Sequence, residues 1–203
     1  MVKNRSEVVA LSIGFLAALS CAVLYSAGRP CSAAGRAVLE AGFEEQAPGA
    51  QDPPGWDATR LPRTADHVVF AWDDTVAHSG SRSISIWVKP SHPNEQIAYN
   101  WTRTLDRVAP GKEYEVTGWV KTEDLTGPAF IMVQCWDAAR TQMLGTATTE
   151  QAYPLSGTNP WTRVKTSFTV PKDTAEVRIR AGISSPQPRG GKVWFDDLRV
   201  EKK

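Results

Sequence analysis

Net charge is the first thing this sequence lacks: 23 Lys and Arg stand against 22 Asp and Glu, leaving +1 over 203 residues. That balance excludes an electrostatic hold on nucleic acid, which needs a cationic surface to displace counterions, and offers none on an acidic membrane surface. Cysteine is almost as scarce. Cys21 falls in an N-terminal apolar run and Cys31 just after it, which leaves Cys135 alone in the remainder, so no disulfide can form there. Cys135 alternates with Ile131 and Val133, the position of a small core side chain rather than of an exposed nucleophile. Catalytic signatures are missing too: there is no His-Glu-x-x-His, no Gly-x-Ser-x-Gly and no glycine-rich phosphate loop. His67, His78 and His92 have no metal-ligand spacing and read as solvated loop or strand residues. Leucine is sparse, and beyond residue 37 no stretch sustains a helical period.

What the chain has instead is Val, Ile, Thr, Gly and Pro throughout, with eight tryptophans. Such usage suits strands and tight turns. Alternating runs separated by Gly, Pro, Asn and Asp clusters predict strands near 38–44, 67–72, 82–88, 96–105, 113–122, 129–137, 142–150, 161–170, 175–183 and 192–201. The length allows one domain with a real core, spanning residues 38–203. The expectation is therefore an all-β, two-sheet antiparallel sandwich. Ile84, Ile86 and Val88 share one side of their strand, as do Val164, Phe168 and Val170, and Val177, Ile179 and Ile183. Those sides form the core. Phe130, Met132, Gln134 and Trp136 lie on the side opposite Ile131 and Val133, and Tyr99, Trp101 and Arg103 fall together on another strand. So much aromatic surface on outward sides calls for a covering layer or a binding groove.

Ahead of this domain, Lys3 and Arg5 precede an apolar run from Val8 to Ala27. Cations followed by an apolar stretch are the export pattern, so residues 1–28 are expected to form an apolar helix acting as a cleaved signal peptide or as a membrane anchor. Its length, near the roughly 20 residues that span a bilayer, leaves both open. Residues 29–37 read as a short linker. The domain is thus expected on the extracytoplasmic side, secreted or tethered.

A set of ordered motifs carries a resemblance. Gly42-Phe43-Glu44, Pro53-Pro54-Gly55-Trp56, His78-Ser79-Gly80-Ser81-Arg82-Ser83-Ile84, Pro110-Gly111 before Tyr114, Gly118-Trp119-Val120-Lys121-Thr122, Gly157-Thr158 with Trp161, Phe168-Thr169-Val170-Pro171 and Gly191-Lys192-Val193-Trp194-Phe195-Asp196-Asp197-Leu198 follow in that order. The chain resembles in this the carbohydrate-binding modules of the cellulase and xylanase type, within the galactose-binding-like jelly rolls. The resemblance implies a jelly roll and a carbohydrate partner. It also implies a structural calcium near the first and last strands, held by a backbone oxygen at Gly42 and the carboxylates of Glu44 and Asp196, an oxygen mixture that calcium accepts.

Sugar rings present flat apolar faces that stack on aromatic rings, while planar polar side chains take their hydroxyls. Tyr99, Trp101 and Trp136 are the stacking candidates, with Arg103, Gln134, Arg178 and Arg180 as hydrogen-bonding partners. Trp72 is a loop-edge candidate, and Trp56, Trp161 and Trp194 are expected to be structural. Asn100-Trp101-Thr102 is a formal glycosylation sequon. The leading expectation is a non-catalytic module that binds a glycan or polysaccharide. Two alternatives stay open: an adhesive or structural cell-envelope sandwich that docks a protein, and a glycoside hydrolase. The hydrolase has the least support, because no clustered Glu-x-Asp-x-x-Glu occupies any one strand.

Overall fold

In the computed structural model the described residues are 37–46, 48–59, 66–92, 99–183 and 190–203. The N-terminal helix and nearly all of the linker expected from the sequence lie outside them. Among the described residues ten strands follow one another: β1 (Leu39–Ala41), β2 (Asp57–Ala58), β3 (Val68–Asp73), β4 (Ser83–Val88), β5 (Tyr99–Thr104), β6 (Glu113–Trp136), β7 (Met143–Thr148), β8 (Leu155–Thr169), β9 (Glu176–Ile183) and β10 (Lys192–Lys202). Every pairing between them is antiparallel.

The architecture turns on β6, which serves two sheets. Its first half, in register from Tyr114 to Glu123, pairs with β10 on one side and β8 on the other, and β10 leads on through β4 to β3, with β1 against its far end. Its second half, from Ala129 to Trp136, pairs with β9 and β7, and β9 leads on through β5 to β2. The sequence reading divided this strand into two, at 113–122 and 129–137. Gly127-Pro128 would ordinarily end a strand, since Pro cannot donate to a ladder. Here β8 bridges the break: its register shifts at Thr122, Leu125 and Ala129 let β6 bend, and Asp124 takes a left-handed φ of 49° at the bend. For the same reason β8 begins at Leu155, ahead of the predicted 161, because Leu155 and Gly157 pair across the bent stretch.

The core lies between the two sheets. The first contributes Ile84, Ile86, Val88, Val116, Val120, Val193, Phe195, Leu198 and Val200, and the second Ile131, Val133, Cys135, Val177, Ile179, Ala181 and Ile183, all buried in one cluster. Each such side chain is worth about 1.5–3 kcal/mol in burial. At Gly118 the side chains of both layers crowd the backbone, and a Cβ there would sit 2.4 Å from Leu198 and 2.6 Å from Ile131. Cys135 is buried as the alternation predicts, and burial pushes its thiol pKa up, away from nucleophile chemistry.

A bulge in β10 decides which way Asp196 points. Asp196 pairs with Trp119 but Arg199 pairs with Thr117, and Asp197 between them has φ 48°. The extra residue flips the side-chain alternation. Asp196 therefore shares the outer side with Trp194, while Leu198 and Val200 face the core. It is fully buried nonetheless, beneath the turn at His78 and Ser79, whose N–H groups donate to its Oδ2 at 2.8 and 3.1 Å.

Candidate functional site

Strict alternation along β6 and β9 builds the outer face of the second sheet. With Ile131, Val133 and Cys135 inward, Phe130, Met132, Gln134 and Trp136 point out; with Val177, Ile179 and Ala181 inward, Glu176, Arg178 and Arg180 point out. The register sets them opposite one another, Met132 by Arg180, Gln134 by Arg178 and Trp136 by Glu176. Asn100, Thr102 and Thr104 of β5 extend these rows on one side, and Thr146 and Thr148 of β7 on the other. Met132, Gln134, Trp136, Arg178 and Arg180 are all half-buried.

Polar groups on this face are incompletely matched. The Trp136 Nε1, the Gln134 Oε1 and the Arg180 Nε are shielded from solvent and have no hydrogen-bond partner. Leaving such a group unmatched costs about 1–3 kcal/mol. Glu176 is in the opposite situation, ion-paired to both Arg140 and Arg178. Burial pushes its carboxyl pKa up, but the two guanidinium groups outweigh that and hold it below its ordinary value. Arg140 and Glu176 escaped the sequence reading. The spacing of Glu176 and Arg178, two apart on one strand side, could have given the second pair, but nothing in the sequence brings Arg140 to them.

Three expected site residues belong elsewhere. Tyr99, Trp101 and Arg103 pair with Ile183, Ala181 and Ile179, so they take the inner parity of β5. Tyr99 and Trp101 are completely buried, with Phe70 edge-on to both rings at 6.4 and 5.5 Å. Their polar tips are satisfied there: Tyr99 Oη meets His92 Nε2 at 2.7 Å, and Trp101 Nε1 donates to the Ser85 carbonyl at 3.1 Å. Arg103, near the edge of the inner side, donates to the Pro54 carbonyl at 3.2 Å. The sequence reading set these aromatics on an outward side, whereas the register turns that side into the core, where large aromatics are mostly found. Asn100 of the sequon is buried as well. His92 is buried rather than solvated, and His78 is half-buried, stacked on Trp119 with centroids 3.8 Å apart.

The expected metal set meets N–H donors. Glu44 Oε1 accepts from the backbone N–H of Ser81 and Arg82 at 3.0 and 2.9 Å, and Oε2 from the Ser81 hydroxyl at 2.8 Å. Asp196 accepts three backbone N–H groups, from His78, Ser79 and Asp197. Burial nevertheless raises its pKa above the ordinary carboxylate value, with the Asp197 charge adding to the rise. Gly42 lies beside Asp197, whose Oδ1 would be 3.5 Å from a Cβ there. N–H donors converging on both carboxylates do not fit a calcium site, which needs six to eight oxygens. Among the described residues no group of three or more His, Cys, Asp or Glu side chains is arranged to hold a metal. Trp72 proves a half-buried strand residue, its Nε1 donating to the Phe43 carbonyl at 2.8 Å beneath the Arg82 guanidinium. Trp194 is buried, and Trp56 is buried against Phe43.

Comparison with known proteins supplies the family. Residues 36–187 match the family described as "Carbohydrate binding domain". Among curated proteins, the tRNA nuclease WapA of Bacillus subtilis (strain 168) is 23% identical over 149 residues, which is 73% of this chain. The chain spans only 6% of the length of that relative. Among solved structures, the CBM22-1 xylan-binding domain of Paenibacillus barcinonensis Xyn10C superposes with a TM-score of 0.56 at 16% identity, covering 83% of this chain and 96% of that one. The CBM22-1-GH10 modules of Clostridium thermocellum Xyn10B, complexed with xylohexaose, give a TM-score of 0.56 at 15% identity over 82% of this chain and 28% of that one. At such identities the structural likeness speaks to the β-sandwich fold, and the family match, spanning well over half of the sequence, speaks to kind: the chain belongs to the carbohydrate-binding domain family, as one of its non-catalytic modules.

Proposed function

We propose that this domain holds a polysaccharide, without altering it, on the outer face of its second sheet. Trp136 is the stacking platform, and Gln134, Arg178 and Arg180 take the sugar hydroxyls. The observation that carries the reading is the unmatched trio on that face, an indole N–H, an amide oxygen and a guanidinium Nε–H. A sugar hydroxyl both donates and accepts, so a run of hydroxyls can match all three once these side chains turn outward to meet it. Xylan heads the candidates, because the Paenibacillus domain of the same fold is a xylan-binding domain. The apolar leader fits an extracytoplasmic setting, where such polymers are met.

Retention on insoluble xylan, cellulose, mannan and mixed-linkage glucan, followed by calorimetry on the soluble forms, tests the proposal. Wild type is expected to bind at least one of them, and Trp136→Ala to weaken that binding tenfold or more while leaving the melting temperature within a few degrees of wild type, since the indole packs on an outer face. Retention on none of a broad panel would sink the reading and leave the adhesive role. Full binding by Trp136→Ala would move the site off this face.

A further inference from the structure

Charge on the same face is unbalanced. Strands β5, β6, β7 and β9 place three ionisable side chains there, Glu176, Arg178 and Arg180, and Arg140 reaches Glu176 from the turn after β6. Glu176 answers Arg178 and Arg140 together, one carboxylate against two guanidinium groups. Among the described residues Arg180 is answered by none: it makes no ion pair there, its Nε has no acceptor, and it is half-buried between Thr102 and Met132. Burial disfavours its charged form, and the like charge of Arg178, two residues along on the same side of β9, disfavours it further. An arginine cannot shed its proton to escape this, so the site holds a standing positive charge.

A neutral sugar can occupy hydroxyl-binding groups but does nothing for that charge. A carboxylate does, because it is planar and can accept from the Nε–H and an Nη–H side by side in a bidentate pair. Arg178 gives its Nε–H to a single oxygen of Glu176, Oε1, while Arg140 holds the other, so a neighbouring guanidinium on this face already pairs with a carboxylate through its Nε–H. Resting on the proposed glycan-binding role of this face, we infer that Arg180 receives the carboxylate of a uronic acid, so that the ligand is an acidic polysaccharide bearing uronate residues. Gln134 and Trp136 then contact the sugars flanking the uronate, since they lie in the next rows along the same strands.

The test compares a uronate-bearing polysaccharide, glucuronoxylan or polygalacturonate, with the same polymer after its carboxylates have been reduced to hydroxymethyl groups. The backbone is unchanged between the two, so the comparison isolates the charge. Wild type should bind the acidic form at least tenfold more tightly, with an affinity that falls as salt rises from 50 to 500 mM, and should bind the reduced form with little salt dependence. Arg180→Met should abolish the difference between the two forms, and Arg180→Lys should restore part of it, which separates lost charge from lost packing. Trp136→Ala should weaken both forms alike. Equal binding of the acidic and reduced polymers by wild type overturns the uronate assignment while leaving the glycan-binding face intact. Tighter binding of a sulfated dextran than of either uronate polymer overturns it too, in favour of a sulfate. Binding of neither form, alongside failure on the neutral panel, overturns the face itself.

Discussion

Asp73, at the end of β3, is buried on the outer side of the first sheet and surrounded by donors. Thr75 gives its backbone N–H and hydroxyl to Oδ1 at 3.0 and 2.6 Å, and Lys192 and Trp194 each give an N–H to Oδ2 at 2.9 Å. Burial alone would push its pKa up. The hydrogen bonds from Thr75, Lys192 and Trp194 outweigh burial and hold the carboxyl well below the usual carboxylate range. A depressed folded-state pKa stabilises the protein above the unfolded value of about 4, and that stability is lost as pH falls toward the folded pKa. Asp73→Asn should therefore cost on the order of 3 kcal/mol at pH 7, as expected for removing one partner of a buried charged network. The difference from wild type should shrink between about pH 4 and pH 2, since the other depressed acids are common to both proteins. Urea unfolding of the two proteins at pH 7 and pH 3 measures it, and a gap that does not change with pH would mean Asp73 stabilises by shape alone. Asp73 was not legible as a network centre, because two of its partners, Lys192 and Trp194, come from more than a hundred positions away. The same limit misled the reading of Tyr99 and Trp101. Alternation says which residues share a side of a strand, but which side is covered depends on neighbours brought in from elsewhere.

Strand positions were nearly all legible, because alternation and turn residues are local. The exceptions were set by partners: two-residue β2 exists only as an annex to β5, and β6 stays unbroken only because β8 spans its bend. Bulges are likewise hard to see, and the one in β10 bears on the calcium expectation. With normal alternation Asp196 would lie among core residues with no donors to satisfy it. The flip at Asp197 instead sets it under the Ala77–Ser79 turn, where backbone N–H groups converge on it, and Glu44 caps the following Gly80–Arg82 turn in the same way. The junction of β1, β10 and the 76–82 segment is therefore self-sufficient as built. Its melting temperature in excess chelator should match that in millimolar calcium to within about 2 degrees, a shift worth no more than about 1 kcal/mol for a domain of this size. A large fall in chelator that calcium reverses would show that the N–H contacts yield to oxygen ligands when the ion is present, and would reinstate Gly42, Glu44 and Asp196 as its holders.

At the scale of the molecule, sharing β6 between the sheets has a consequence for stability and for binding. Neither sheet can lose this strand without the other losing its centre, and Gly118 seats Leu198 of the first sheet and Ile131 of the second against one backbone position. Unfolding should therefore be a single cooperative transition, with circular dichroism of the strands and fluorescence of tryptophans from both sheets following one curve. Asp73→Asn, placed in the first sheet, should move that whole curve to lower denaturant without splitting it. The proposed glycan face belongs to the second sheet, on the far side of the core, and its rigidity is set by β6 and β9 rather than by the Asp73 network. At 25 °C in the absence of denaturant, where the variant is still folded, its affinity for polysaccharide should stay within about twofold of wild type. Two separate transitions, or an affinity that falls in step with the lost stability, would mean that the second sheet draws its shape from the first through the bend of β6, and that the binding face is less independent of the rest of the sandwich than its register implies.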